Sequence, residues 1–325
     1  MRALVVSNML ADAAHPARGS FVRDQVAALR ALGGVELELH EFPPGPAALV
    51  SALPQLRRLY GGPSTLSRRA GSPPFDVVHA HFGLSAWPAL AVPARVRALT
   101  VHGNDLAHPR TRLATTAVLP LIDLLGAASP ALVQSLPGRR ARERAQVLPC
   151  GVDIERFRAI DREAARAELG LHAGKRLLLL PADPARAEKR ADRARALADA
   201  VGAELLTVGD VRPEDMPLWI NAADAVVVPS EREGFGLAVL EALACDVPVL
   251  ATPVGIHAEV LADVPGTLCA PFDLALWRET LAACLESRDP HIEGRASAER
   301  FSSRAMAERV RAAWQRALAE VPRAR

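Results

Sequence analysis

Two glutamates, Glu233 and Glu241, are separated by seven residues within Pro229-Ser230-Glu231-Arg232-Glu233-Gly234-Phe235-Gly236-Leu237-Ala238-Val239-Leu240-Glu241-Ala242. An apolar run at 225–228 ends just before Pro229, and a helical pattern opens near Gly236. Backbone N–H groups and the positive end of a helix therefore converge at one point, which makes a cradle for an anion such as a diphosphate. Carboxylates beside such a cradle suit hydroxyls rather than phosphates. The pattern describes a site for a nucleotide that carries a polyhydroxy group. Taken singly, Glu233 also reads as a helix cap and Glu241 as a solvated helix residue.

One basic residue type stands out by its rarity. Of 39 basic residues only Lys175 and Lys189 are lysines, so each lysine needs a reason. Lys189 follows an expected strand at 176–180 and opens an expected helix at 189–201, and it reads either as a solvated lysine in a basic helix or as a functional cation. Arg186 lies three residues before it. Elsewhere, His102 follows an expected strand at 98–101 and precedes Gly103, so its ring or backbone can project at the strand's carboxyl end. His79 and His81 flank the end of another strand, and their i, i+2 spacing points both to one face. Without a third ligand they make a poor zinc site.

Strands alternating with helical patterns must position these groups. Short apolar runs at 3–6, 35–40, 76–79, 98–101 and 146–148, then at 176–180, 204–208, 225–228, 247–251 and 266–269, alternate with helical stretches at 20–32, 189–201, 213–222 and 236–244. That alternation describes parallel sheets covered by helices. The expected class is α/β, with two Rossmann-like lobes at 1–155 and 156–295. A charged C-terminal helix follows at 296–325, its apolar positions running through 296–318, and either closes the second lobe or crosses back to the first. Residues 43–74, rich in Pro, Gly, Ser and Arg, read as the least structured part of the first lobe.

With 50% hydrophobic residues and a net charge of +2, the chain is neither disordered nor strongly nucleic-acid-seeking. The balance is uneven, +5 over residues 1–155 and −3 over the rest. Cys150, Cys245, Cys269 and Cys284 lie far apart, against a zinc site or a disulfide framework and in favour of a reducing cytosol. Ser7 and Asn8 break the opening apolar run, which reads as a first core strand rather than a leader. The stretch 113–138 contains Pro120, Asp123, Pro130 and Pro137, against a membrane-spanning helix.

With these motifs the chain resembles the retaining GT-B glycosyltransferases of family 4, whose fingerprint is Glu-x7-Glu. Glu233, Gly234, Phe235, Gly236, Leu237, Leu240, Glu241 and Ala242 match position by position. Similar motifs fall at Asp76–His81, Thr100–Asp105, Pro149–Asp153 with Phe157, and Pro248–Gly255. The resemblance implies two lobes facing a cleft. It implies transfer of a sugar from a nucleotide-diphosphate donor, usually a UDP-sugar, to an acceptor hydroxyl, without a metal or other cofactor.

In that reading Glu233 holds donor-sugar hydroxyls, the amides of Gly234, Phe235, Gly236 and Leu237 hold sugar and diphosphate, and Glu241 binds the ribose. Lys189 matches the family's phosphate-binding lysine, and His102 its histidine beside donor and acceptor. Arg186 substitutes for an arginine that the family places where Pro184 and Asp183 stand here. Gly19 is either an ordinary loop glycine or one that lets backbone approach the ligand. Cys150 and Ile256 depart from a common Asn and a frequent Gly.

Two rival readings are a UDP-sugar 2-epimerase on the same fold and a non-catalytic nucleotide-sugar-binding subunit. The sequence leaves the acceptor, whether glycan, lipid-linked or small molecule, unspecified. Leu53, Leu56, Leu59, Tyr60 and Leu66 among Arg57, Arg58, Arg68 and Arg69 read either as a solvated loop or as a peripheral membrane contact at the inner face.

Overall fold

The computed structural model describes residues 1–61, 74–209, 211–287 and 290–321, apart from the side chain of Ala283. The chain divides into two compact units. One comprises Met1–Asp12, Arg18–Gly151 and the chain from Ser303 onward, the other Ala13–Ala17 and Val152–Ser302.

The first unit holds six parallel strands: β1 (Arg2–Ser7), β2 (Glu36–Glu41), β3 (Phe75–His81), β4 (Ala94–Val101), β5 (Leu124–Ala127) and β6 (Gln146–Val147), in the order β2-β1-β3-β4-β5-β6. The second holds β7 (Leu177–Leu180), β8 (Glu204–Thr207), β9 (Ala225–Val228), β10 (Val249–Ala251) and β11 (Leu268–Cys269), in the order β11-β10-β9-β7-β8, again parallel. Both are doubly wound α/β sheets. Central strands such as Leu-Leu-Leu-Leu in β7 and Ala-Val-Val-Val in β9 are buried throughout, as a sheet covered on both faces requires.

Helix Ser20–Ala31 buries Val22, Val26 and Leu29 on the first sheet. Helix Ser303–Glu320 packs beside it in the same core through Met306, Val310 and Trp314. Of the two placements open to the last helix, it takes the one on the first sheet.

Several expectations are corrected. The helix expected across 296–318 is two helices, Arg295–Glu299 and Ser303–Glu320. Phe301 and Ser302 leave the helix because the Val152 N–H donates to the Phe301 carbonyl at 2.9 Å and Val152 bridges Ser302. β5 was not expected: Leu-Leu-Gly-Ala has little β-branched character and is a strand through its pairing with β4.

Part of the stretch expected to be least structured is a helix, Pro46–Tyr60, which starts with Pro at its first turn and buries Ala52 and Leu56. Val50 and Leu53 on it are exposed. Leu66, Arg68 and Arg69 lie outside the described residues. Among those residues no helix is long and apolar enough to cross a membrane.

Candidate functional site

In the second sheet the strand order reverses between β7 and β9. Loops leaving the carboxyl ends of two such strands diverge and open a crevice there. After β7 the chain makes a short 3-10 turn, Ala187–Lys189, and enters helix Ala191–Val201. After β9 it runs through Ser230–Gly236 into helix Leu237–Ala244.

The two loops are stitched together: the Glu231 N–H donates to the Glu188 carbonyl at 2.9 Å, and Arg190 pairs with Glu231. Between them Lys189 Nζ contacts both carboxylate oxygens of Glu233, at 2.7 and 2.9 Å, and Ser230 Oγ donates to Glu233 Oε1 at 2.8 Å. The side chains of Lys189 and Glu233 are only 13% and 12% exposed, so little solvent screens the pair.

Gly236 caps the helix at φ +119°, and a Cβ there would lie 2.6 Å from His257 Cδ2. Conformation and space both demand glycine. Phe235 is buried against Phe301, and its carbonyl accepts the Ile256 N–H at 2.9 Å. Its side chain therefore belongs to the core and only its backbone to the loop. Leu237 opens the helix and Glu241 lies about one turn into it, both partly exposed. Arg186 is 46% exposed and bound to Glu188 at 2.7 Å, so its guanidinium is engaged with Glu188 rather than with Glu233.

In the first unit the order reverses between β1 and β3, and His81, at the end of β3, meets His102, just past β4. His81 Nδ1 lies 2.9 Å from His102 Nε2, and His102 Nδ1 lies 3.9 Å from Cys150 Sγ. The rings of Phe21 and Phe82 pack on His102 at 4.8 and 4.9 Å. The expected shared face is real: His79 and His81 stack at 4.8 Å. Burial pushes the pKa values of His79 and His102 down to about 3, and lowers that of His81. Gly19, at φ +70°, caps helix Ser20–Ala31, and a Cβ on it would lie 2.4 Å from the Met9 carbonyl. The close approach that requires this glycine is to the chain itself.

Residues 177–306 match the description "Glycosyl transferases group 1" and residues 20–156 match "Glycosyltransferase Family 4". The D-inositol 3-phosphate glycosyltransferase of Frankia alni is 32% identical over 294 residues, covering 72% of this chain and 71% of that protein. That of Thermobispora bispora is 30% identical over 286 residues, covering 71% and 67%. The chain is a GT-B glycosyltransferase of family 4. In solved structures the glycosyltransferase's fold is shared with sucrose-phosphate synthase from Thermosynechococcus elongatus, at a TM-score of 0.71, 20% identity and coverage of 98% of this chain and 100% of that one. It is also shared with Anabaena HepE in complex with UDP-glucose, at 0.70, 16%, 97% and 100%.

The structure also gathers residues of this glycosyltransferase that spacing alone did not single out. Thr252, after β10, donates through Oγ1 to the Ser230 carbonyl. His257 Nδ1 donates to the Thr252 carbonyl at 2.9 Å, beneath Gly236. Thr252 lies within the Pro248–Gly255 motif and His257 just past it, but neither motif nor spacing tells which groups they bond.

Proposed function

We propose that the protein moves a sugar from a nucleotide-diphosphate donor, a UDP-sugar, to an acceptor hydroxyl, with retention of configuration and without a metal. The observation that carries this reading is the Lys189–Glu233 pair set before the amino end of helix Leu237–Ala244. An arriving diphosphate competes with Glu233 for the Lys189 ammonium and meets the loop amides, which neutralise the leaving group as its charge develops. The displaced Glu233 carboxylate then accepts hydrogen bonds from sugar hydroxyls, and Glu241 from the ribose. Arg186 adds a second cation once it leaves Glu188. His102 lines the acceptor side.

Retention and metal independence follow from the family resemblance, and the UDP preference is supported by the shared fold of HepE, solved with UDP-glucose. The relatives named for D-inositol 3-phosphate make that compound the first acceptor to try.

A panel of UDP- and GDP-sugars screened by thermal shift tests the donor, since a ligand bound only by the folded state raises the melting midpoint with affinity. The expected outcome is a UDP-sugar that raises the midpoint and, with acceptor in EDTA-containing buffer, yields product of the donor's anomeric configuration by NMR. Inverted product, or a requirement for added metal, contradicts the mechanism. Isomerisation of the donor in acceptor-free buffer identifies a 2-epimerase instead.

A further inference from the structure

A tautomer can be assigned along the histidines of the first sheet. Trp314 Nε1–H can only donate, and it meets His79 Nδ1 at 3.0 Å. A buried, neutral His79 therefore carries its proton on Nε2, which donates to Thr100 Oγ1 at 2.8 Å. The next ring, His81, is fully buried, and its Nε2 has no hydrogen-bond partner among the described residues. Its Nδ1 shares one proton with His102 Nε2, 2.9 Å away.

If that proton belonged to His102, His81 would hold its own on Nε2 as a buried N–H with nothing to donate to. Unmade buried N–H groups are rarer in proteins than under-used acceptors. With the proton on His81 Nδ1, only a lone pair is left bare. The remaining proton of His102 then sits on Nδ1, facing the sulfur of Cys150 at 3.9 Å.

We propose that His81 is a positioning residue for sugar transfer: its Nδ1–H donates to His102 Nε2, fixing His102 as the Nδ1–H tautomer with no basic nitrogen free to take a proton. This rests on the reading that places His102 in the transfer site. The groups facing His102 are His81 from β3, the Cys150 thiol, the Phe21 and Phe82 rings, and Asp105, whose Oδ2 accepts the His102 backbone N–H at 2.6 Å. Asp105 is the one acid among them.

Side-chain nitrogen NMR on the histidine-labelled full-length protein reads the tautomer directly. His102 is expected to show a protonated Nδ1 and an unprotonated Nε2. His81→Leu removes the donor, so His102 interchanges tautomers. Transfer should then lose about tenfold or more in kcat with donor KM held within about twofold. His81→Asn, which places an amide N–H where Nδ1 stood, should restore both the ring pattern and kcat.

A wild-type His102 protonated at Nε2 overturns the assignment, and this holds even if the leucine variant fails to fold. A leucine variant with the wild-type ring pattern and kcat overturns it as well. If His102→Ala transfers sugar normally, the placement of His102 in the site fails and the positioning role falls with it, although the wild-type ring pattern stays as assigned.

Discussion

At Gly236 a single hydrogen atom in place of a side chain decides whether the candidate donor loop exists. The residue sits at φ +119° with His257 packed where a Cβ would go. Gly236→Ala is expected to destabilise the protein by about 1–3 kcal/mol and to weaken donor binding, as urea unfolding and donor titration would report. A Gly236→Ala, His257→Ala double variant should recover part of that loss by relieving the clash while keeping the unfavourable φ. Wild-type stability in the single variant would mean that the loop is not held as described.

Lys189, Glu233 and Gly236 were legible in the sequence because the demands on them are local. Glutamates and glycines at fixed spacing around a strand-to-helix turn, and one of only two lysines in an arginine-rich chain, are read without knowing which strands pair. Ser230 was within the motif, but its bond to Glu233 was not readable. The engagement of Arg186 with Glu188 and of His102 with His81 depends on side-chain partners that spacing does not name.

At the scale of elements, the pairing of β7 with β9 brings Lys189 and Glu233 together across 44 residues. The base of these strands is clamped by Asp224, buried just before β9. Its carboxylate accepts from Arg162, from Arg166 at 3.0 Å and from the Leu177 N–H at the start of β7 at 2.7 Å. Asp224→Ala leaves two guanidinium groups in a poorly solvated place with fewer acceptors. The expected cost is roughly 3–5 kcal/mol, read as a lowered urea midpoint; a loss under about 0.5 kcal/mol, the range of ordinary surface substitutions, would contradict the clamp.

Ten of the strands were readable because β-branched and leucine runs bounded by turns carry their own signal. β5 was not, because Leu-Leu-Gly-Ala becomes a strand only beside β4. The break between the last two helices was hidden for a similar reason. Helical spacing continues through Phe301, and the tie to Val152 that interrupts it lies about 150 residues away.

For the molecule as a whole, the same winding is used twice. Each unit carries a parallel sheet whose order reverses after its first strand, at β1 and β3 in one and at β7 and β9 in the other. Each reversal gathers its own chemistry: buried neutral histidines in the first unit, an ion pair before a helix amino end in the second. The charge divides unevenly as well, +5 over residues 1–155 and −3 over the remainder.

Sugar transfer by the full-length chain carrying Lys189→Ala tests the central claim most directly, with the best donor of the panel and turnover followed by nucleotide release. Removing a charge that stabilises a leaving group costs about 10²–10³ in kcat, and a loss of that size is the expected result at a temperature where the variant, its melting midpoint lowered by leaving Glu233 without its cation, is still folded. Turnover within about twofold of wild type, a change under 0.5 kcal/mol in the barrier, would contradict the assignment of the leaving diphosphate to Lys189.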